Sequence, residues 1–95
     1  MPNYELVYIV SPEVTDEELP DVLNKVEEAV GKIGGSVTEV AQWGRKKFAY
    51  PIKRFLEGNY VYAKLNIEPT STKELEVNLG NSDSILRHLL IRLQE

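Results

Sequence analysis

The chain has 95 residues, 42% of them hydrophobic and 27% charged, which is the make-up of one folded domain and excludes both a disordered chain and a pair of cores. It contains no cysteine and a single histidine, so disulfides and thiolate metal sites are excluded and a reducing cytoplasm is the expected setting. A formal net charge of -4 opposes simple electrostatic capture of nucleic acid, but the charge is spread unevenly along the chain.

The opening Met1-Pro2-Asn3-Tyr4-Glu5 has neither the basic segment nor the apolar run of a secretory signal. No apolar stretch approaches the roughly 20 residues needed to span a bilayer, so a soluble protein is expected. Residues Tyr4 to Val10 are rich in β-branched and aromatic side chains and stop at Ser11-Pro12, which predicts a first strand. Thr15-Asp16-Glu17-Glu18 has the form of a capping box and announces a helix. Leu19, Val22, Leu23, Val26, Ala29, Val30 and Ile33 recur at helical spacing, and Gly34-Gly35 supplies the stop. Pro20 would remove an intrahelical hydrogen bond, so the regular helix is expected to begin after the capping box.

Alternation resumes at Ser36 to Val40 and predicts a second strand running through Trp43-Gly44 to Phe48-Ala49-Tyr50, with Gly44 marking a bulge. The polar residues Glu57-Gly58-Asn59 are expected to turn the chain into a third strand, Tyr60 to Ile67, with Val61, Ala63, Leu65 and Ile67 on one face. Ser71-Thr72-Lys73-Glu74 repeats the capping-box form and opens a short helix that Gly80-Asn81 ends. Ile85 to Leu93 is the last strand, and its pattern is compatible with either phase. The order β-α-β-β-α-β is that of an α+β, ferredoxin-like fold, one domain over residues 1–95, with two helices on one face of a four-stranded antiparallel sheet. Its other face is open, and apolar residues such as Val7 and Ile9 are expected there, either simply exposed or covered by a partner.

Catalysis needs a nucleophile with a base, a carboxylate pair in a pocket, or a metal constellation, and the sequence displays none of these. His88 has no second histidine or cysteine at ligand spacing, so neither a metal nor a cofactor is expected. An acyl-phosphate hydrolase of this topology would use an arginine after the first strand, where this chain has Ser11-Pro12-Glu13, a loop that repels anions. A metabolite-binding regulatory module would need a glycine-rich turn at the same place, so a small-molecule substrate is disfavoured too. Charge then becomes the guide. Glu13, Asp16, Glu17, Glu18, Asp21, Glu27 and Glu28 crowd the first helical segment, whereas Arg45, Lys46, Lys47, Lys53 and Arg54 lie in a stretch without an acid. Aromatic residues are interleaved with those cations in Trp43-Gly44-Arg45-Lys46-Lys47-Phe48-Ala49-Tyr50. Two readings stand side by side: an RNA-contacting arm, whose cations meet phosphates and whose rings stack on bases, or a hairpin with core aromatics and solvated lysines.

At this block the chain resembles the bacterial small-subunit ribosomal protein six family. The resemblance runs nearly end to end: Tyr4-Glu5, Pro12, Gly34-Gly35, Trp43-Gly44-Arg45 with Ala49-Tyr50-Pro51-Ile52, Gly58-Asn59-Tyr60, Glu74-Leu75 and Leu86-Arg87-His88. It implies a structural protein of the cytoplasmic ribosome that binds the central domain of small-subunit ribosomal RNA together with ribosomal protein eighteen. By matching positions, the RNA contacts it implies are Tyr4, Arg45, Lys46, Lys47, Tyr50, Arg87 and Arg92, with Lys53 and Arg54 as lesser candidates. The chain departs from many relatives in having Pro2 and Asn3 where basic residues often stand, and in ending at Glu95 without an extended tail. Both departures shift the expected RNA affinity toward the central block and the partner.

Overall fold

A computed structural model describes residues 1–93; the carboxyl end at Glu95 lies outside the described residues. The elements run β1 (Asn3–Val10), α1 (Leu19–Lys32), β2 (Ser36–Ile52), β3 (Phe55–Asn66), a short 3₁₀ turn (Pro69–Ser71), α2 (Thr72–Gly80) and β4 (Ile85–Arg92). The strands form one antiparallel sheet in the order β2-β3-β1-β4, which is the ferredoxin-like topology expected from the order of the elements.

Paired residues in an antiparallel ladder share a face, so the registers assign every strand position. Tyr4, Leu6 and Tyr8 of β1 lie opposite Leu65, Ala63 and Val61 of β3, and all six are buried in one cluster with Val22, Val26 and Val30 of α1 and Leu75 and Leu79 of α2. That is the helix side. Glu5, Val7 and Ile9 project from the open side, beside Lys64, Tyr62 and Tyr60 of β3 and Ile91, Leu89 and Arg87 of β4. A bulge between Ile9 and Val10 lets both Ile85 and Leu86 be buried before the strand settles into alternation, and this selects the phase of β4.

Thr15 and Glu18 form the expected reciprocal bonds: the Thr15 N–H donates to Glu18 Oε1 at 3.0 Å, and the Glu18 N–H donates to Thr15 Oγ1 at 3.2 Å. These bonds close a turn in front of the helix, which starts at Leu19 with Pro20 in its first turn, where a missing N–H costs nothing. The Thr15 backbone bond, reinforced by the Thr15 hydroxyl, holds the Glu18 carboxyl below its usual range. At the other end Gly34 N–H reaches Gly31 O and Gly35 N–H reaches Val30 O, the two bonds of a Schellman ending, with Gly34 at φ 85°. The second expected capping box does not form. The Thr72 hydroxyl instead donates to Pro69 O at 2.9 Å, because the chain is already wound as a 3₁₀ turn when it reaches Ser71.

The reversal between β2 and β3 is the main correction to the sequence reading. Lys53 and Arg54 form the two-residue turn, with Ile52 facing Phe55, whereas Glu57-Gly58-Asn59 lie inside β3. Gly58 is there for proximity, since a Cβ at this position would lie 2.6 Å from Ile9 Cγ2. The turn has φ of 47° at Lys53 and 69° at Arg54, left-handed values that asparagine and glycine adopt at far lower cost. We expect Lys53→Asn combined with Arg54→Gly to stabilise the domain by about 1–2 kcal/mol in urea unfolding. An unchanged midpoint would show that the turn is not strained.

Candidate nucleic-acid interface

The hairpin of β2 and β3 extends beyond the rest of the sheet, because β1 pairs with β3 only from Asn59 onward. Residues 45–58 therefore form a two-stranded arm, bent at Gly44, whose φ of 90° coincides with a shift of register. The arm carries the basic block, and its twist sends the cations in different directions. Lys46 lies opposite Gly58 on the open side, with its Nζ 6.0 Å from the centroid of the Tyr60 ring. Arg45 lies opposite Asn59 on the helix side; its guanidinium is 3.6 Å from the Glu57 carboxylate and donates to the Pro12 carbonyl at 3.5 Å. Arg54 at the tip is 3.8 Å from Glu13 and sits over the Phe55 ring at 5.0 Å. Both pairs are solvent-exposed, so they are weak and can open to a stronger anion.

Lys47, Phe48, Tyr50 and Ile52 from the arm meet Ile9, Tyr60 and Arg87 around a shallow cleft of about 240 Å³ where the arm leaves the open face of the sheet. Tyr50 is 63% exposed, and its ring is available for stacking. Lys46, Lys47 and Arg87 form no ion pair with a carboxylate among the described residues. The structure thus brings Tyr50 to Arg87, far later in sequence, with Lys46 on the same face, whereas Lys47, in register with Glu57, projects with Arg45 from the opposite face of the arm.

It separates the others. Tyr4 is 6% exposed and belongs to the core, so its ring presents no face to a base. Arg92 lies opposite Tyr4, on the face away from Arg87. His88 also points to the helix side, with Nε2 3.5 Å from a Glu76 carboxylate oxygen.

The open face holds residues that reading the chain by segments overlooked. The Tyr62 hydroxyl donates to Glu5 Oε2 at 2.5 Å, and the Tyr62 ring stacks on Trp43 with centroids 5.4 Å apart and planes 13° from parallel. The signal was present in β3: once Val61, Ala63 and Leu65 face the core, Tyr60, Tyr62 and Lys64 must face the other way. Tyr62 is pushed up to about 12, chiefly by its hydrogen bond to Glu5, then by desolvation and by the charges of Glu5 and Glu39. A phenol whose folded pKa exceeds its unfolded value contributes stability that is complete below about pH 10 and is lost as the pH rises toward 12. Glu5→Ala, which removes both the acceptor and the charge, should move this titration back toward 10, read as phenolate absorbance and assigned by its loss in Tyr62→Phe. No movement in the variant would mean that Glu5 is not the cause.

Beside these aromatics, Leu89 and Ile91 of β4 are 58% and 47% exposed on the same face as Val7. A basic cleft at one end of the sheet and an uncovered apolar strip along its edge suit a protein that joins an RNA to another protein.

Comparison with known proteins bears on this arrangement. The family model described as ribosomal protein S6 matches residues 3–92. The chain is 38% identical over 95 residues to the small ribosomal subunit protein bS6 of Moorella thermoacetica, covering 100% of this chain and 97% of that protein. It is 41% identical over 91 residues to the bS6 protein of Clostridioides difficile, covering 96% and 98% of the two chains. The crystal structure of 30S ribosomal protein S6 from Thermotoga maritima superposes with a TM-score of 0.89 at 29% identity, over 97% of this chain and 87% of that one.

Proposed function

The chain belongs to the ribosomal protein S6 family, non-enzymatic proteins of the small ribosomal subunit, and from that premise we propose that it binds the central domain of small-subunit ribosomal RNA jointly with ribosomal protein eighteen. The observation that carries this reading is the cleft between the arm and the open sheet face, where Arg87 meets an exposed Tyr50 and Lys46 stands beside Tyr60. Cations placed there neutralise phosphates, and the tyrosine ring stacks on an unpaired base at a folded junction. Lys53 and Arg54, at the tip of the arm, add charge at longer reach. Arg45 joins the contact by exchanging the Glu57 carboxylate for a phosphate.

The partner protein covers Leu89, Ile91 and Val7, removing apolar surface from water and completing the site. With a net charge of -4, the isolated chain holds RNA weakly, and the pair holds it tightly. A footprint on small-subunit ribosomal RNA tests the reading. Protection confined to the central domain, and strong only when the chain and ribosomal protein eighteen are added together, is the expected result. Strong protection by the chain alone would refute the cooperation, and protection elsewhere would refute the assignment of the RNA.

A further inference from the structure

The open face is electrically divided. Its basic end lies around Lys46 and Arg87, whereas two carboxylates, Glu5 and Glu39, act on Tyr62, whose ring stacks on Trp43. Glu5 accepts the Tyr62 hydroxyl bond, and Glu39 is close enough for its charge to act on the same phenol. Lys64 lies in register with both acids, which leaves the group with one net negative charge, and it forms no ion pair among the described residues. Tyr62 covers part of Trp43, yet the indole is still 49% exposed.

An exposed indole beside carboxylates disfavours a nucleotide, because the phosphate that accompanies any stacked base would be repelled. The same surroundings favour a cation that is flat and can bind in two ways at once. A guanidinium stacks on an aromatic face while its edge donates to carboxylate oxygens, and an ammonium has no plane with which to do the former. We propose that Trp43, Tyr62, Glu5 and Glu39 form a seat for an arginine side chain presented by a protein partner. Because the owner of that arginine is the protein that covers this face in the function proposed above, the seat deepens that reading and rests on it for its biological occupant. The seat is continuous with the apolar strip: Glu5 lies opposite Ile91, and Val7 lies between Tyr62 and Leu89. A segment bearing an arginine beside aliphatic side chains would engage both at once.

Trp43 is the one tryptophan of the chain, so its fluorescence reports on the seat without interference from the acidic face of α1. Titration of the full chain with a tri-arginine peptide at low salt should give a saturable change in Trp43 emission. A tri-lysine peptide should bind at least about threefold more weakly. In Glu5→Gln/Glu39→Gln the tri-arginine affinity should fall about three- to tenfold. Glutamine at position 5 still accepts the Tyr62 hydroxyl, and should the double variant fail to fold, the exposed Glu39→Gln alone serves the purpose. Equal binding of the two peptides would overturn the seat, as would an unchanged affinity in the variant. A hexauridylate that shifts Trp43 emission more strongly than tri-arginine would transfer this surface to RNA. None of these outcomes touches the ribosomal footprint, so failure of the seat and failure of the ribosomal reading are separable.

Discussion

Replacing Lys46 and Arg87 together by alanine should weaken binding of the chain and its proposed partner to small-subunit ribosomal RNA about 30-fold, with the protein still folded. Two charge-assisted phosphate contacts at about 1 kcal/mol each amount to about 2 kcal/mol, which is roughly 30-fold in affinity. The dependence of log affinity on log salt concentration should flatten by about 1.4, because fewer counterions are released when two phosphate contacts are lost from a single-stranded or junction RNA. Arg92→Ala serves as the comparison, since that side chain faces the helix side at the register of Tyr4. It should cost little if RNA approaches the open face. Filter-binding titrations at several salt concentrations would decide the matter, and a double variant that keeps its affinity and its slope would remove the cleft from the interface. Folding is spared because Lys46 and Arg87 are exposed and neither is paired with a carboxylate among the described residues.

Gly35→Ala should destabilise the domain by about 3 kcal/mol and lower its melting temperature by roughly 15 °C. A Cβ at this position would lie 2.2 Å from Ile67 Cγ2, 2.6 Å from the Asn66 carbonyl oxygen and 3.0 Å from Val30 Cγ1. Ile67 and Val30 are fully buried, so neither has space into which to retreat. Such a loss is a large share of the roughly 5–15 kcal/mol that holds an ordinary domain together. Gly31→Ala, four residues earlier, should act in the opposite direction by about 0.5–1 kcal/mol. Gly31 lies in α1 with open space, nothing within 4 Å, where the alanine methyl would stand, and alanine is the better helix former. Thermal and urea unfolding of the two variants would check both signs, and equal effects would contradict the packing seen at the end of α1.

The opposition between an acidic chain and an RNA ligand is resolved by geometry. Asp16, Glu17, Glu18, Asp21, Glu27 and Glu28 are all exposed on the first helical segment, which packs on the far side of the sheet from the cleft. Among the described residues only Glu57 and Glu13 pair with cations of the basic block, and each engages an arginine at the surface rather than Lys46. Net charge governs long-range approach, whereas contact depends on which face carries the cations.

Much of this protein can be read along the chain because its elements announce themselves locally. Apolar spacing in α1, alternation in β3, the Gly34-Gly35 ending and the bulge at Gly44 each depend on a few neighbouring residues, and each is present in the structure. The order of those elements leads to the sheet topology, since right-handed crossovers leave few ways to pack two helices on four strands. The basic block was visible for the same reason, being contiguous.

Tertiary structure alone decided what depends on register. The turn fell at Lys53-Arg54 because the buried positions of β3 must meet β1, and that pairing placed Glu57-Gly58-Asn59 inside the strand despite their turn-like composition. The bulge at Ile9 and Val10 determined that Arg87 points toward the cleft while Arg92 points away from it. Trp43, Tyr62 and Glu5 come from three strands and meet only after pairing. A shift by one residue reverses the face of every side chain in a strand at no cost visible in composition, so the surface that binds is specified by long-range pairing, whereas the elements that carry it are specified by near neighbours.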